Sequence, residues 1–212
     1  MKIEIQGHSF VLHHHKAVYW VEKKTLLIGD LHLGKISHFR KEGIAIPLEA
    51  INTNFTKLDE LLNEFDVERI IFLGDLFHSA YNTEWELFAF WRHSHAHIEM
   101  LIVLGNHDIL PAFLFEESNI KVYVEDYTEE DFVFAHHPVD EARHAYLFAG
   151  HIHPVFALRG KGRQSLRVPC FLQSGHQMIL PCFGVFTGGY QVNNMPHEHV
   201  YVVSGKEVLR VG

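Results

Sequence analysis

Side chains that can bind metal ions or transfer protons follow five short apolar segments of the chain. Each segment is rich in β-branched and aromatic residues and ends in Asp, Asn or His. The segments with their terminal clusters are Thr25–Asp30 with His32, Arg69–Asp75, Met100–Asn106 with His107 and Asp108, Phe132–His136 with His137, and Tyr146–His151 with His153. Carboxylate, amide and imidazole groups bind divalent metals, and imidazole also exchanges protons near neutral pH. We therefore expect metal ligands or acid–base groups at these positions.

The five segments are predicted to be β-strands that bring the clusters together. Short continuous apolar runs are typical of strands buried on both faces. Ligands of open α/β sheets bind beyond the carboxyl ends of the strands, where all five clusters fall. Glycines beside the clusters, such as Gly74 and Gly150, let the backbone turn sharply and approach a ligand. One such cluster alone would most often be a turn or a helix cap, but five in order favour a common site.

Helices are predicted between some of the strands. Leu48–Phe65 has apolar residues at helical spacing and follows Pro47, which a helix start tolerates. Thr83–Arg92 begins with a possible N-cap threonine and has Glu86 three residues later.

Residues after 154 alternate between strands and Gly/Pro turns instead. The strands predicted there are Ser165–Leu172, Gln177–Leu180 and His199–Val203. This order of elements predicts an α/β protein in which sheets pack together with helices outside. The expected core residues in the ligand-bearing strands are Leu27, Phe72, Val103, Phe134 and Phe148.

The composition is that of an ordinary globular protein. The 212 residues, 47% of them hydrophobic, fit a single domain spanning 1–212. The formal charge of −8 argues against a broad basic surface for nucleic acid, although bound metal ions would reverse the local sign. No signal-peptide pattern and no run long enough to cross a bilayer is seen, and the two cysteines are too few for a disulfide framework. We expect a cytoplasmic protein without a membrane partner, with Cys170 and Cys182 as buried thiols.

The chain has 19 histidines, so their positions must decide which of them act. His13, His14 and His15 are consecutive, and consecutive strand residues point to opposite faces. We therefore expect them to lie at the surface without converging on one ion. His93, His95 and His97 follow the second helix and are expected to be structural.

Three acidic residues near the clusters are expected to support ligands rather than to bind metal. Asp108 is predicted to hold a ligand histidine by its second nitrogen or to cap a helix. Asp140 and Glu141 are candidates for the same supporting task.

The ordered clusters from Asp30 to His153 resemble the calcineurin-like metallophosphoesterase superfamily. The resemblance implies a four-layer α/β/β/α sandwich of two mixed β-sheets flanked by helices. It also implies two divalent metal ions with Asp75 between them. One ion would be bound by Asp30, His32, Asp75 and His153, and the other by Asp75, Asn106, His136 and His151. His107 would be the catalytic histidine outside the metal shell, donating a proton to the leaving oxygen or holding a phosphoryl oxygen.

Two details of this assignment come from the residues themselves. His136 is preferred to His137 because it directly ends the apolar run Phe132–Ala135. Mixed imidazole and carboxylate ligands suit Mn, Fe or Zn better than Mg or Ca. Such ions lower the pKa of a bound water towards neutrality and stabilise charge that develops at phosphorus.

A narrower resemblance covers two further parts of the chain. The segments Gly29–Lys35, His38–Gly43 with Ile46-Pro47, Pro169–Phe171 and Leu180–Gly189 are similar to the ICC-like phosphoesterases, also called ligase-associated DNA damage response endonucleases. This similarity implies a Mn-dependent phosphodiesterase or nuclease that acts on DNA, in functional association with a DNA ligase, an exonuclease and a helicase.

The rim of the site leaves alternatives open. Arg40, and with it His38, is predicted to contact the phosphate or an adjacent nucleotide, and the alternative is a solvated charged loop. A hydrolase of a small phosphomonoester, cyclic nucleotide or nucleotide pyrophosphate would use the same metal core. An open cationic groove would favour the nuclease and a closed pocket the small-molecule enzyme. A non-enzymatic scaffold should have lost His107 or a ligand, and this chain keeps all of them.

Overall fold

The computed structural model describes residues 1–47, 49–78, 83–140, 144–162, 164–185, 187–193 and 196–211. The strands there are β1 (Lys2–Ile5), β2 (His8–Leu12), β3 (Val18–Trp20), β4 (Thr25–Ile28), β5 (Arg69–Leu73), β6 (Glu99–Val103), β7 (Ile120–Tyr123), β8 (Asp126–Glu129), β9 (Phe132–Ala135), β10 (Tyr146–Ala149), β11 (Pro154–Arg159), β12 (Ser165–Gln173), β13 (Gln177–Ile179), β14 (Tyr190–Val192), β15 (His199–Ser204) and β16 (Glu207–Val211). The helices are α1 (Lys35–Lys41), α2 (Glu49–Glu64), α3 (Thr83–Ser94) and α4 (Ala112–Glu117).

The first sheet contains β1 to β7 in the order of the chain. Strands β1 to β4 are antiparallel to one another, whereas β4 to β7 run parallel. Parallel neighbours need a crossover connection, and the helices α1 to α4 lie in those connections. The carboxyl ends of β4, β5 and β6 are therefore side by side at one edge of the sheet.

The second sheet contains the nine remaining strands. Its main order is β14-β11-β12-β13-β10-β9-β8, with β15 paired to β12 and β16 paired to β15. Strands β9, β10 and β13 run parallel, so β9 and β10 also end on the same side. The strand-rich segment predicted after residue 154 supplies most of this sheet.

The two sheets pack face to face around an aromatic core. Because side chains alternate along a strand, each central strand contributes to two clusters. Leu27, Ile71 and Leu101 face Phe134 and Phe148 of the second sheet. The opposite face of the first sheet packs against helices, through the fully buried residues Ile70, Phe72, Leu58, Leu61 and Phe88.

The predicted fold, two mixed β-sheets with flanking helices, is confirmed. The predicted helices Leu48–Phe65 and Thr83–Arg92 correspond to α2 and α3, although Leu48 itself lies outside the described residues. All four described helices come from the part of the chain that builds the first sheet. Cys170 and Cys182 are buried and free, as expected. No described helix is both long and apolar enough to span a membrane.

The expectation that His13, His14 and His15 cannot converge is wrong. It assumed that they continue a strand, but β2 ends at Leu12. The chain then turns, with the Lys16 N–H donating to the His13 carbonyl at 2.9 Å. Because the strand alternation does not apply within a turn, the three rings lie within 4.1 to 5.0 Å of one another, centre to centre.

Candidate metal centre

The predicted ligands collect where the carboxyl ends of strands from both sheets meet. Five of them have left-handed backbone conformations, with φ between 49° and 69°: Asp30, His32, Asp75, His151 and His153. This region is uncommon for residues other than glycine, and such residues cluster at functional sites because the surrounding structure must hold them there. The chain therefore turns inward as it leaves these strands.

At three strand ends the backbone lies so close to a candidate ligand that only glycine fits. A Cβ at Gly74 would lie closer than 3.0 Å to the ring of His136. A Cβ at Gly105 would meet the Asp75 carboxylate in the same way, and one at Gly150 the Asp30 carboxylate. Any larger residue at these positions would displace a candidate ligand.

One group of side chains gathers around His32 and His153. Their Nε2 atoms are 3.3 Å apart, and His153 Nε2 lies 3.1 Å from Asp30 Oδ1. His32 Nε2 is 3.8 Å from Asp75 Oδ2. Ligand atoms around a tetrahedral ion with bonds of 2.0–2.1 Å are separated by roughly 3.4 Å. The group therefore has the dimensions of a coordination shell.

A second group gathers around His136. Its Nε2 is 3.1 Å from Asn106 Oδ1, 3.1 Å from His151 Nδ1 and 3.6 Å from Asp75 Oδ2. Asp75 Oδ2 thus belongs to both groups. Its other oxygen, Oδ1, accepts the backbone N–H of His107 at 2.8 Å, which fixes the orientation of the carboxylate.

Hydrogen bonds to backbone carbonyls determine which ring nitrogens carry lone pairs. His136 Nδ1 lies 3.0 Å from the Leu73 carbonyl, and His153 Nδ1 lies 3.3 Å from the Gly188 carbonyl. A carbonyl can only accept, so each neutral ring has its proton on Nδ1 and a lone pair on Nε2. Both lone pairs point at carboxylate or amide oxygens, which are also acceptors. Lone pairs that converge in this way repel each other unless a cation lies between them, so the donor set fits metal ions.

Burial and neighbouring groups favour the neutral form of two candidate ligands, His32 and His151. Burial, followed by the charge of Lys35 and the neighbouring imidazoles, lowers the pKa of His32 to about 2. Burial and the neighbouring His136 lower the pKa of His151. Neutral imidazole is the form that binds metal, because its lone pair is free.

His107 lies beside the first group and contacts a histidine that was not predicted. Its ring is 5.5 Å from the ring of His32 and 4.9 Å from the ring of His78. Nδ1 of His78 is buried and has no hydrogen-bond partner in the described part of the chain. Burial lowers the pKa of His78 to about 4, so this ring too is neutral. In the sequence, the position of His78 three residues after Asp75 could have indicated that it lies near the site. In the structure, a β-bridge between Leu33 and Phe77 aligns its segment with the first ligand loop.

Cys182 is a second residue that sequence reasoning did not place at the site. One ligand atom from each of His32, His153 and Cys182 lies within 4.8 Å of the others. The Cys182 thiol donates to the Asp30 carbonyl at 2.9 Å, and burial raises its pKa to about 11. It is therefore a protonated thiol that supports the Asp30 loop.

The two residues predicted to contact substrate lie on α1. Glu84 of α3 accepts hydrogen bonds from Gly34 N–H and from the Ser37 hydroxyl, which holds the start of α1 close to the ligand loop. The His38 ring is exposed and lies 5.7 Å from the ring of His78. The exposed Arg40 donates from Nη1 to the Ile46 carbonyl, within its own loop. Their role towards substrate stays a prediction.

The acidic residues that were expected to orient ligand histidines have other contacts. Asp108 accepts the backbone N–H groups of Phe77, at 3.0 Å, and Gly105, at 2.9 Å, so it ties together the loops after β5 and β6. Because α4 begins at Ala112, Asp108 does not cap that helix. Asp140 is exposed, and Glu141 lies outside the described residues.

The two adjacent histidines after β9 occupy different environments. His136 is 1% exposed and faces Asn106 and Asp75. His137 is exposed, and its ring lies 4.2 Å from that of His151. His137 nevertheless offers a ligand atom within 4.8 Å of those of His136 and His151, so the preference for His136, like the rest of the ligand set, stays a prediction.

Comparisons with known proteins support the interpretation of this site. The family model described as calcineurin-like phosphoesterase matches residues 23–172, which include every predicted ligand. A solved structure titled Pseudomonas putida nuclease MPE matches with a TM-score of 0.85 and 31% sequence identity, and the match covers 100% of this chain and 99% of that chain. No curated protein matches the chain. Proteins of the matching family use divalent metal ions, and this chain belongs to that family, the calcineurin-like phosphoesterases.

Proposed function

We propose that this protein is a phosphodiesterase that acts on nucleic acid with two divalent metal ions. The observation that carries the proposal is the placement of Asp75. Its Oδ2 lies 3.8 Å from His32 Nε2 and 3.6 Å from His136 Nε2, and each histidine belongs to a separate group of converging ligand atoms. A carboxylate shared by two groups is suited to bridge two ions held about 3.5–4 Å apart.

The residues proposed for the two ions are those named from the sequence. Asp30, His32, Asp75 and His153 would hold one ion, and Asp75, Asn106, His136 and His151 the other. Mn is the proposed metal, with Fe and Zn as the other ions that this mixture of imidazole and carboxylate ligands suits. When bound, the ions would supply Lewis-acid activation of water and of the phosphoryl oxygens.

The protein's own groups would orient the reaction. The backbone N–H of His151 donates to Asp30 Oδ2 at 2.9 Å and that of His107 to Asp75 Oδ1, so both carboxylates are held before substrate arrives. The His107 side chain is half-buried at the edge of the ligand groups. From there it would deliver a proton to the leaving oxygen, a contribution commonly worth about 10²–10⁴-fold in rate.

Two observations support nucleic acid as the substrate. The similar structure from Pseudomonas putida is titled a nuclease, and its match extends over nearly the whole of both chains. In addition, α1 carries Lys35, His38, Arg40 and Lys41 and no acidic residue, although the formal charge of the protein is −8. A basic helix on a protein of negative net charge would guide a phosphate backbone to the site.

The resemblance to ligase-associated endonucleases supports a narrower proposal. The protein would act in DNA repair in functional association with a DNA ligase, an exonuclease and a helicase. It would do so as a single domain over residues 1–212. A deletion strain that is sensitive to DNA damage, and is rescued by the wild-type chain but not by an Asp75→Asn variant, would support this role.

The activity is tested with three substrates assayed in parallel. The protein is stripped of metal, reloaded with Mn and given single-stranded DNA, an aryl phosphodiester and an aryl phosphomonoester. We expect cleavage of DNA and of the diester. Asp75→Asn should reduce the rate of both by about 10²-fold or more, because it removes the negative charge proposed to bridge the two ions. Asp140→Asn, at an exposed carboxylate outside the ligand groups, is the matched control and should keep full activity. Turnover of the monoester alone would contradict the proposal.

A further inference from the structure

Three histidines form a compact cluster away from the candidate catalytic centre. His13, His14 and His15 occupy the turn between β2 and β3, beside the exposed glutamates Glu60 and Glu64 of α2. One ring nitrogen from each histidine lies within 4.8 Å of the corresponding nitrogens of the other two. His13 is buried and the other two residues are half-buried, and His13 and His14 line an open cleft.

The two glutamates determine where the protons of this cluster lie. His13 Nε2 is 3.2 Å from Glu64 Oε2, and His15 Nε2 is 2.5 Å from Glu60 Oε2. A carboxylate accepts, so each neutral ring has its proton on Nε2 and its lone pair on Nδ1. Histidine ligands of zinc are commonly held through the second nitrogen by a carboxylate in this way. The cluster therefore already has the supporting contacts of a metal site.

We propose that His13, His14 and His15 bind one Zn²⁺ through three imidazole nitrogens, with Glu60 and Glu64 orienting two of the rings. Three histidines and a water molecule complete a tetrahedral shell, in which ligand atoms are separated by roughly 3.4 Å. The nitrogens lie within 4.8 Å of one another and would need to approach by up to about 1.4 Å, through rotation of the rings of His14 and His15.

The charge state of the cluster agrees with this assignment. Burial, followed by the neighbouring His14, lowers the pKa of His13 to about 4. Burial and His15 lower the pKa of His14, so the neutral form is favoured for both of these rings. Lys206 faces His14 and opposes a cation, whereas Glu60 and Glu64 both favour one. Imidazole ligands also prefer Zn²⁺ to Mn²⁺, so the additional ion expected at this all-histidine site is Zn²⁺.

Besides the repulsion by Lys206, binding would cost one hydrogen bond within the turn. The backbone N–H of His15 donates to His13 Nδ1 at 3.1 Å. A cation at His13 Nδ1 would displace that hydrogen bond and free the N–H to turn towards solvent or the bound water. Zn²⁺ affinity is thus set by three new bonds against one lost hydrogen bond.

Zn²⁺ at this site would fasten the turn to α2 and, through it, to the ligand loop. Lys16 of the same turn donates from Nζ to the Gly184 carbonyl at 3.1 Å. The Gly184 N–H in turn donates to the Asp30 carbonyl at 3.2 Å. The predicted effect is on stability, because an ion that binds only the folded chain shifts the equilibrium towards it.

The test counts Zn²⁺ bound per chain in Mn-saturated protein, by equilibrium dialysis with metal analysis, and measures the thermal unfolding midpoint with and without Zn²⁺. The cluster variant is His14→Asn with His15→Asn. The matched control is His93→Asn with His97→Asn, two exposed histidines outside the cluster. We expect the wild type and the control to take up one more Zn²⁺ per chain than the cluster variant, and to gain a Zn²⁺-dependent rise in the midpoint that the cluster variant lacks.

A milder variant keeps the test decisive if the double substitution impairs folding. Glu60→Gln removes the group that orients His15, and should weaken Zn²⁺ binding by about 10–100-fold without changing DNA cleavage. Equal Zn²⁺ uptake and an equal shift of the midpoint in the wild type and the cluster variant would overturn the proposal. Unchanged affinity in Glu60→Gln would overturn the role of the glutamate.

Discussion

Gly74 illustrates how tightly individual residues are constrained around the candidate ligands. It has a φ of +79° and lies against the His136 ring, whereas Gly7 has the same φ of +79° and no neighbouring atom within 4 Å of the place that a Cβ would occupy. Both positions therefore carry the same backbone penalty for alanine, about 1–2 kcal/mol. Only Gly74 adds a steric conflict with a candidate ligand.

This pair gives a matched prediction. Gly74→Ala should lower the free energy of unfolding by about 1–3 kcal/mol more than Gly7→Ala, because overpacking costs are of that size. It should also reduce bound metal and activity, while Gly7→Ala leaves both unchanged. Denaturant unfolding with metal analysis on the two variants measures this, and equal losses in both would show that His136 is not positioned by Gly74.

The loss of rate caused by removing His107 is predicted to grow with the basicity of the leaving oxygen. A general acid is needed when the leaving oxygen is strongly basic, as in DNA, and much less for an aryl oxygen. His107→Ala should therefore reduce DNA cleavage by about 10²–10⁴-fold and cleavage of an aryl diester far less. His93→Ala, at an exposed ring outside the ligand groups, serves as the control. An equal loss on both substrates would contradict a proton-donating role.

The residue types at the site could be predicted from the sequence, but some of their neighbours could not. Asp30, Asp75 and His136 directly follow apolar strands, which is a local signal. Cys182 reaches the site only through contacts distant in the chain, such as its 2.9 Å bond to the Asp30 carbonyl, 152 residues away. No spacing rule within a single segment identifies such contacts.

At the scale of elements, continuous apolar runs were predicted well and short amphipathic ones were not. Strands β4, β5, β6, β9 and β10 are buried along nearly their whole length, and this uniformity made them visible. Helix α1 has only seven residues, of which Ile36 alone is buried. Its sequence therefore shows no hydrophobic periodicity from which a helix could be predicted. The turn after β2 was misjudged for a related reason, because the end of that strand at Leu12 has no local marker.

The segment from β2 to β3 also carries a pH-dependent contribution to stability. Burial, more than the charge of Lys57, lowers the pKa of Lys16 from 10.5 to about 8. Between these two pH values the unfolded chain binds the proton more tightly than the folded one. The stability associated with neutral Lys16 is therefore present above pH 10.5 and is lost as the pH falls through about 8.

Lys16→Met should remove this dependence. The free energy of unfolding of the wild type, minus that of the variant, should rise with pH between 8 and 10.5, by about 3 kcal/mol in total. Denaturant titrations of both proteins at three pH values in this window measure the difference, which cancels titrating groups that do not interact with Lys16. Parallel pH profiles would contradict the burial of a charged Lys16.

At the scale of the whole molecule, the candidate centre exists only because two sheets meet. Asp30, Asp75 and Asn106 follow strands of the first sheet, whereas His136 and His151 follow strands of the second. The aromatic core between the sheets, which includes Phe134 and Phe148, sets the distance between these two sets. The sequence predicts both sets, but the distances of 3.1 and 3.6 Å from His136 to Asn106 and Asp75 depend on packing that no single segment encodes.

The central claim is that Asp75 is shared by two metal ions, and anomalous diffraction from crystals grown with Mn²⁺ tests it most directly. We expect two anomalous peaks about 3.5–4 Å apart, with the Asp75 carboxylate between them. One peak should contact Asp30, His32 and His153, and the other Asn106, His136 and His151. A single peak, or two peaks that do not share Asp75, would contradict it.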